Sequence, residues 1–175
     1  MELKATLCVL LIFLTYSQTQ ADTLAFWEKA NGSPVCFGTR NTQYGAFHIP
    51  LSGKVAAVKL VHLYGYVSCH KHNADNWSFW GCGHRVKDLV NVVITTSDNH
   101  MILPPNQFIG NRAGKWSKIP GYNSFSPEVV LSVFNHPYEM SEKTELRLWY
   151  AEDLVNYTES DNGGRVCTDV FVLYV

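Results

Sequence analysis

The sequence predicts an all-β domain, a β-sandwich or jelly-roll-like fold held by two disulfides. Most of the chain consists of short runs rich in β-branched and aromatic residues, separated by Gly, Pro, Asn and Asp. Such runs between turn residues are typical of sandwiches. Helical patterns are weak, and the best window, Leu24–Ala30, is short. An even number of cysteines follows the N-terminal segment, which suits a disulfide framework.

The N-terminus has the layout of a secretory signal peptide. A single Lys precedes the apolar run Ala5–Tyr16, and a polar stretch then ends at the small residue Ala21. A run of this length is too short to span a bilayer, which needs about 20 apolar residues. We therefore expect residues 1–21 to be removed and residues 22–175 to form a single secreted, extracellular domain. The alternative is an uncleaved anchor.

Strand patterns recur along the mature chain. In Thr144–Ala151 the apolar Leu146, Leu148 and Tyr150 alternate with Glu145, Arg147 and Trp149, which predicts a half-buried strand. Lys54–Val67 is apolar at nearly every position and predicts a central strand covered on both faces, or two successive strands. Three further segments have strand composition: Leu89–Thr96, Glu128–Phe134 and Arg165–Val175. Pro104–Pro127, with four Pro and three Gly, predicts a long functional or flexible loop.

The mature cysteines are Cys36, Cys69, Cys82 and Cys167, and three pairings are open. We favour Cys69–Cys82, which closes a short loop, and Cys36–Cys167, which ties the start of the domain to its last strand. Secreted chains meet an oxidising compartment, where a disulfide is the ordinary outcome.

A zinc site is the alternative for part of this set. The segments Cys69–His72 and Cys82–His84 together contain five thiol or imidazole groups, which are zinc ligands by type. Their spacing is not a standard one. The disulfide interpretation is preferred, and the zinc interpretation would imply a zinc-dependent hydrolase.

Acidic residues cluster near the C-terminus. The candidates for a calcium site are Glu152, Asp153, Glu159 and Asp161, with Asp169 further along. Calcium takes six to eight oxygen ligands, which clustered carboxylates supply. The competing interpretation is a solvated acidic hairpin that turns at Asn162-Gly163.

Aromatic and basic residues share the long Pro104–Pro127 segment. Arg112, Trp116 and Tyr122 are candidates for contact with a sugar, an acidic partner or a membrane surface, whereas the alternative role of the aromatic rings is packing. Trp77 and Trp80 lie inside the predicted Cys69–Cys82 loop, where we expect one to pack on the disulfide and the other to meet solvent or a partner.

Three glycosylation sequons begin at Asn31, Asn76 and Asn156. Behind a signal peptide, sequons in loop-like contexts predict a glycoprotein.

Several function classes are disfavoured. The net charge is −1, which is unlike the basic surface of a nucleic-acid-binding protein. The chain has no Gly-x-Ser-x-Gly, His-Glu-x-x-His or phosphate-loop motif, so we expect no enzyme. No second apolar run is long enough to span a membrane.

The C-terminal third carries the most distinctive strings, Glu145-Leu-Arg-Leu-Trp-Tyr-Ala-Glu-Asp-Leu and Thr158-Glu-Ser-Asp-Asn-Gly-Gly-Arg-Val-Cys-Thr-Asp-Val. From about Ser126 to the end, and more loosely from Gly38, the chain resembles a domain found in secreted extracellular proteins of corals and related animals. Uncharacterised skeletal organic matrix proteins are among them. The resemblance implies secretion and an extracellular-matrix setting, and it assigns no catalytic residue.

Three functional hypotheses follow. The leading one is a secreted, non-catalytic structural or adhesive module that contacts an extracellular matrix protein or a glycan and needs no cofactor. The second is a calcium-dependent carbohydrate-binding, lectin-like protein that uses the acidic region for the ion and the loop aromatics for the sugar. The third is the zinc-dependent hydrolase.

Overall fold

The computed structural model describes residues 24–133 and 135–175, and the predicted signal peptide lies outside this range. Along these residues the strands are β1 (Phe26–Lys29), β2 (Val35–Gly38), β3 (Gly45–His48), β4 (Gly53–Ser68), β5 (Trp77–Ser78), β6 (Val92–Thr96), β7 (Met101–Leu103), β8 (Ile109–Asn111), β9 (Trp116–Ser117), β10 (Glu128–Ser132), β11 (Tyr138–Met140), β12 (Glu145–Tyr150) and β13 (Gly163–Tyr174). One short helix, α1 (Ala151–Leu154), follows β12, and short 3₁₀ turns lie at Ala74–Asn76, Gly83–Val86, Asn106–Phe108 and Glu159–Asp161. The predicted all-β class is confirmed.

The first antiparallel sheet is built around the two longest strands. β13 pairs with β4 from Gly163 opposite Ser68 to Tyr174 opposite Val55, with irregularities after Cys167 and Leu173. β1 and β2 pair with the other edge of β13, while β10, β11 and β5 pair with the other edge of β4. These neighbours make β4 and β13 the central strands of the sheet.

The second antiparallel sheet has the order β3–β12–β6–β7. One hydrophobic cluster joins the facing sides of the two sheets. The first sheet contributes Val58, Leu60, Val170 and Val172, and the second contributes Ile94, Leu146, Leu148 and Tyr150. Apolar faces that bury each other in this way define a sandwich.

The predicted alternation in β12 is confirmed for its inner face, where Leu146, Leu148 and Tyr150 are fully buried. Trp149, expected on the opposite face, is also buried, in a smaller cluster with Val93 on the back of the second sheet. Its indole N–H donates to Thr95 Oγ1, so this face of the sheet is covered as well.

The segment Lys54–Val67 forms part of one 16-residue strand, β4. Only its first half is covered on both faces, because Leu63, Tyr64 and Tyr66 are exposed on the second half. The expectation of full burial was therefore wrong for residues 63–66, whereas Val67 and Ser68 at the end of the strand are buried.

Two other local expectations need correction. The best helical window, Leu24–Ala30, contains strand β1, because pairing with the end of β13 outweighs a weak local preference. The predicted long loop Pro104–Pro127 contains a 3₁₀ turn and the β8–β9 hairpin, which is bridged to the sandwich at Val90 and Ser117. This bridge places Trp116 against the body of the protein.

Both favoured disulfides are present. Cys36 and Cys167 are directly opposite in the β2–β13 pairing, and Cys69, just after β4, is bonded to Cys82. Within residues 24–133 and 135–175, no helix has the length and apolar character needed to cross a membrane.

Candidate functional site

A pocket of about 350 Å³ opens where β12 runs into α1. Several separate segments converge on it, and its lining residues are Cys69, Arg85, Val86, Leu89, Asn111, Trp116, Glu152, Tyr157, Thr158 and Asp161. The 3₁₀ turn after Cys82, the β8–β9 hairpin and the segment between β12 and β13 each supply one wall. The pocket therefore exists only in the folded chain.

Glu152 forms the floor of this pocket. It is only 4% exposed, and its Oε1 accepts a hydrogen bond from Trp116 Nε1 at 2.9 Å. Its Oε2 accepts from Asn162 Nδ2 at 3.1 Å. Burial raises the pKa of Glu152, and the two hydrogen bonds oppose that rise by favouring the ionised form.

Asn91 fixes the backbone around Glu152. Its Oδ1 accepts from the Glu152 backbone N–H at 3.0 Å, and its Nδ2 donates to Gly114 O at 2.8 Å. Since Asn91 is fully buried, this side chain holds α1 and the β8–β9 hairpin in register. The floor of the pocket is thus preorganised.

Asp161 lies at the more exposed side of the pocket. Its Oδ2 is 2.8 Å from His70 Nδ1, and this hydrogen bond lowers the pKa of Asp161. The charge of Arg85 favours the ionised form of both Asp161 and Glu152. Tyr157, 39% exposed, adds an aromatic ring to the same lining.

Two buried oxygens next to the floor have no hydrogen-bond partner in the part of the chain that the structure describes: Asn162 Oδ1 and Thr39 Oγ1. The Asn162 side chain is close to Glu152, because its Nδ2 donates both to Glu152 Oε2 and to the Thr39 carbonyl. Buried polar atoms are normally paired, so these two side-chain oxygens are exceptions among the described residues.

Comparison with known proteins gives one informative match. No protein-family model matches the chain, and a search of curated proteins found no match. Among solved structures, the chain is similar to AJLec from the sea anemone Anthopleura japonica, with 34% sequence identity and a TM-score of 0.74. The match covers 86% of this chain and 98% of AJLec. The chain belongs to the AJLec family.

The four carboxylates predicted as calcium ligands lie in two different environments in this AJLec-family fold. Glu152 and Asp161 line the pocket, whereas Asp153 accepts from the backbone N–H groups of Thr42 and Gln43, and Glu159 accepts from that of Asn41. Burial raises the pKa of Asp153, as does the neighbouring Glu159. No group of three potential metal-binding His, Cys, Asp or Glu side chains occurs among the described residues, and calcium binding stays a prediction.

The competing idea of a solvated acidic hairpin was wrong. Asp153 and Asn162 are buried, and the segment between β12 and β13 contains α1 and a 3₁₀ turn in place of a tight turn at Asn162-Gly163. The backbone N–H groups of Thr42 and Gln43 explain why Asp153 is drawn inward.

The loop residues predicted to contact a ligand are separated. Trp116 lines the pocket but is only 6% exposed. Its role is therefore to form part of the pocket wall and to hydrogen-bond Glu152. Tyr122 packs against the hydrophobic core, and Arg112 is exposed on the β8–β9 turn. Sequence reasoning missed Arg85 and Asn111, which carry no motif, and it noticed Tyr157 only as part of a sequon.

The Cys/His segment is not a thiolate zinc site, because Cys69 and Cys82 form a disulfide. His70 is directed to Asp161, and His84 lies beside Phe125 with 5.0 Å between ring centroids. The two tryptophans in this loop differ in burial, since Trp80 is fully buried and Trp77 is partly exposed, while the packing of either ring on the disulfide stays a prediction. Trp80, however, donates its indole N–H to the Ser126 carbonyl.

Proposed function

We propose that this protein is a secreted carbohydrate-binding protein, lectin-like as AJLec is, and that the pocket above Glu152 holds the sugar. One observation carries the proposal. A partly exposed aromatic ring, Tyr157, lines the same pocket as an exposed carboxylate, Asp161, and an exposed guanidinium, Arg85. Pockets that combine apolar rings with a few converging polar groups are typical of small-ligand sites.

The chemistry of these groups matches a pyranose. Sugar hydroxyls both donate and accept hydrogen bonds, so they need both kinds of partner. Asp161 accepts, Arg85 donates, and Asn111 does both through its side-chain amide. Tyr157 offers an apolar ring to the C–H face of the sugar. Glu152 is bound on both oxygens by protein donors and serves to hold the floor.

Membership of the AJLec family favours this function over the structural or adhesive module and supports binding over catalysis. The zinc-dependent hydrolase loses its thiolate ligands to the Cys69–Cys82 disulfide. A matrix setting, as the coral resemblance implies, is compatible with glycan binding and stays a proposal.

Calcium dependence is part of the same proposal. Asp153 and Glu159 are held by the backbone of residues 41–43, so an ion at this end of the molecule would take Glu152 or Asp161. Asp161, whose side chain is 43% exposed, is the carboxylate of the pocket that an ion and a sugar would share, because hard cations prefer oxygen ligands. Bound calcium would neutralise these carboxylates and present coordination positions to sugar hydroxyls.

The test is a glycan array with the secreted protein and two variants, read in calcium and in chelator. Asp161→Asn removes the exposed carboxylate of the pocket. Glu139→Gln makes the same chemical change on β11, where the side chain is 72% exposed and outside the pocket. We expect array binding that is lost in Asp161→Asn and kept in Glu139→Gln. A silent array, or equal binding by both variants, would exclude the pocket.

Thermal melts test calcium binding independently of sugar binding. An ion at 100 times its dissociation constant stabilises the fold by about 2.7 kcal/mol. Melts that coincide in calcium, zinc and chelator, together with chelator-resistant array binding, would leave a metal-independent lectin. N-terminal sequencing of the secreted protein should begin at Asp22, which follows the predicted cleavage site.

A further inference from the structure

A second cleft, of about 420 Å³, lies on the outer face of the first sheet and is lined by Tyr66 and Trp77. It shares no lining residue with the pocket above Glu152. Tyr66 is 55% exposed, which is unusual for a ring in a central strand. Tyr64, two positions earlier on the same strand, is 58% exposed, so aromatic surface continues along this face of the sheet.

The strand pairing explains how the cleft forms. Tyr66 is opposite Arg165 in β13, and Trp77 in β5 is opposite Ser68, two residues further along β4. Because residues two apart on a strand share a face, Tyr66, Trp77 and Arg165 project to the same side of the sheet. Their neighbourhood is therefore fixed by backbone hydrogen bonds.

Gly164 lets the backbone of β13 approach the indole closely, and Gly163 lies in ordinary contact with it. A Cβ at Gly164 would lie 2.6 Å from Trp77 Cζ3, and one at Gly163 would lie 3.4 Å from Trp77 Cη2. The backbone of β13 thus approaches the ring where a side chain would exclude it. Gly164 also has φ +97°, a conformation that side-chain-bearing residues rarely adopt. Trp77 is consequently preorganised, with one side resting on the sheet and another bordering the cleft.

Three polar groups around this cleft have no partner in the described part of the protein, and the Lys71 ammonium beside them donates to the Ser160 carbonyl at 3.3 Å. Trp80, Trp116 and Trp149 each donate their indole N–H inside the protein. Within the described chain, in contrast, the indole N–H of Trp77, the Tyr66 hydroxyl and the Arg165 guanidinium have no hydrogen-bond or salt-bridge partner. Lys71, packed beside Gly163 and Trp77, adds a second cation. Asp161 lines the other pocket, where its carboxylate is hydrogen-bonded to His70.

We propose that the Tyr66–Trp77 cleft with Arg165 is a second saccharide site that takes an acidic sugar. The aromatic rings suit the apolar face of a pyranose, and the unpaired donors and cations suit its sulfate or carboxylate group. The proposal rests on the proposed function for the class of ligand but does not depend on the pocket above Glu152. One chain would then contact two sugar units, or one extended acidic glycan.

Asn76, next to Trp77 in sequence, does not block this cleft. The Asn76 side chain is only 3% exposed, so the folded protein has no room for a glycan on its amide. The open side of the cleft is left to an external ligand.

The test uses a heparin tetrasaccharide and a neutral dextran tetrasaccharide, titrated calorimetrically into the full secreted protein. Trp77→Ala and Tyr66→Ala each remove one wall, and Arg165→Gln removes the cation. We expect the heparin affinity to fall by about tenfold for either ring and by roughly three- to fivefold for Arg165→Gln. The affinity should also weaken as salt screens the cations.

Matched controls come from the other end of the same sheet. Trp27 is an exposed tryptophan whose ring is already covered by Lys59, with Nζ 4.8 Å from the centroid. Lys54, with a 61% exposed side chain, is the second residue of the strand that carries Tyr66 near its end. Trp27→Ala and Lys54→Gln should keep the heparin affinity of the unaltered protein.

Equal affinity for the two tetrasaccharides, undiminished heparin binding by Tyr66→Ala and Arg165→Gln, or no heparin binding at all would overturn the second site. Tyr66 and Arg165 are exposed, so their variants keep the result interpretable if Trp77→Ala fails to fold. Asp161→Asn separates the two proposals, because it should abolish array binding at the pocket and leave the heparin titration unchanged.

Discussion

Trp116 and Glu152 are joined by a buried hydrogen bond, from the indole N–H to Oε1 at 2.9 Å. The two residues are 36 positions apart, on the β8–β9 hairpin and on α1. Their contact closes the floor of the pocket. The consequences of this contact can be measured in stability as well as in binding.

Trp116→Phe should destabilise the fold. It keeps a ring at this position but leaves a buried carboxylate oxygen without its donor, which costs about 1–3 kcal/mol. In a domain of this size the melting temperature should fall by roughly 3 to 10 °C. Trp27→Phe is the control, since Trp27 is exposed and makes no indole hydrogen bond to any described residue. Equal losses in the two variants would contradict a specific role for the Trp116 N–H.

The pH dependence of stability should identify Glu152 as a buried acid. Burial raises the pKa of Glu152 in the folded state, so the native protein holds this proton more tightly than the unfolded chain does. Its contribution to the free energy of unfolding therefore falls as pH rises from the ordinary glutamate value of about 4.3 to the raised folded value. Above that window the loss is constant.

Urea unfolding of the wild type and of Glu152→Gln across the acidic range tests this prediction. The difference in unfolding free energy, variant minus wild type, should increase with pH through that window, whatever the constant cost of the substitution. The exposed Glu139→Gln should track the wild type at every pH. A difference for Glu152→Gln that stays constant with pH would show that Glu152 is not perturbed.

Local sequence patterns predicted the sandwich, but they did not predict contacts between residues that are far apart in the sequence. Alternation in β12 identified the inner positions Leu146, Leu148 and Tyr150, because a period of two records burial directly. Trp116 was assigned to a long loop, since the two-residue strand β9 is too short to show a period. Its burial depends on Glu152, and no local pattern encodes a contact with a residue so far along the chain. Arg85 likewise reaches the pocket through a 3₁₀ turn that lacks a sequence signature.

Removing the two disulfides separately should give unequal costs. Cys36–Cys167 spans 131 residues and Cys69–Cys82 spans 13, and constraint of the unfolded chain grows with loop length. The paired change Cys36→Ala and Cys167→Ala should cost about 5 kcal/mol, and the change of Cys69 and Cys82 about 3 kcal/mol. Urea unfolding without reductant measures both. A larger cost for the short loop would indicate that packing around the fully buried Cys82 outweighs chain entropy.

The three sequons differ in how well the folded protein could carry a glycan, and glycosylation itself stays a prediction. The side-chain nitrogen of Asn31 donates to Ser33 O and to Asp169 Oδ1, and its side-chain oxygen accepts from the Val170 N–H. The nitrogen that would carry a glycan is therefore engaged in two hydrogen bonds within the protein. Asn76 is buried. Asn156 is exposed in the segment after α1, with φ 50°, a left-handed conformation that Asn tolerates better than most residues.

We therefore expect one occupied sequon, at Asn156. Intact mass of the protein secreted from eukaryotic cells should fall on treatment with peptide N-glycosidase, and Asn156→Gln should abolish that change. Asn31→Gln should keep the glycan but lose stability, because its amide links the segment after β1 to β13. A glycan that survives in Asn156→Gln would contradict the assignment. Because Asn156 adjoins Tyr157 at the pocket, the same pair of proteins on the glycan array would show whether the attached sugar competes with external ligands.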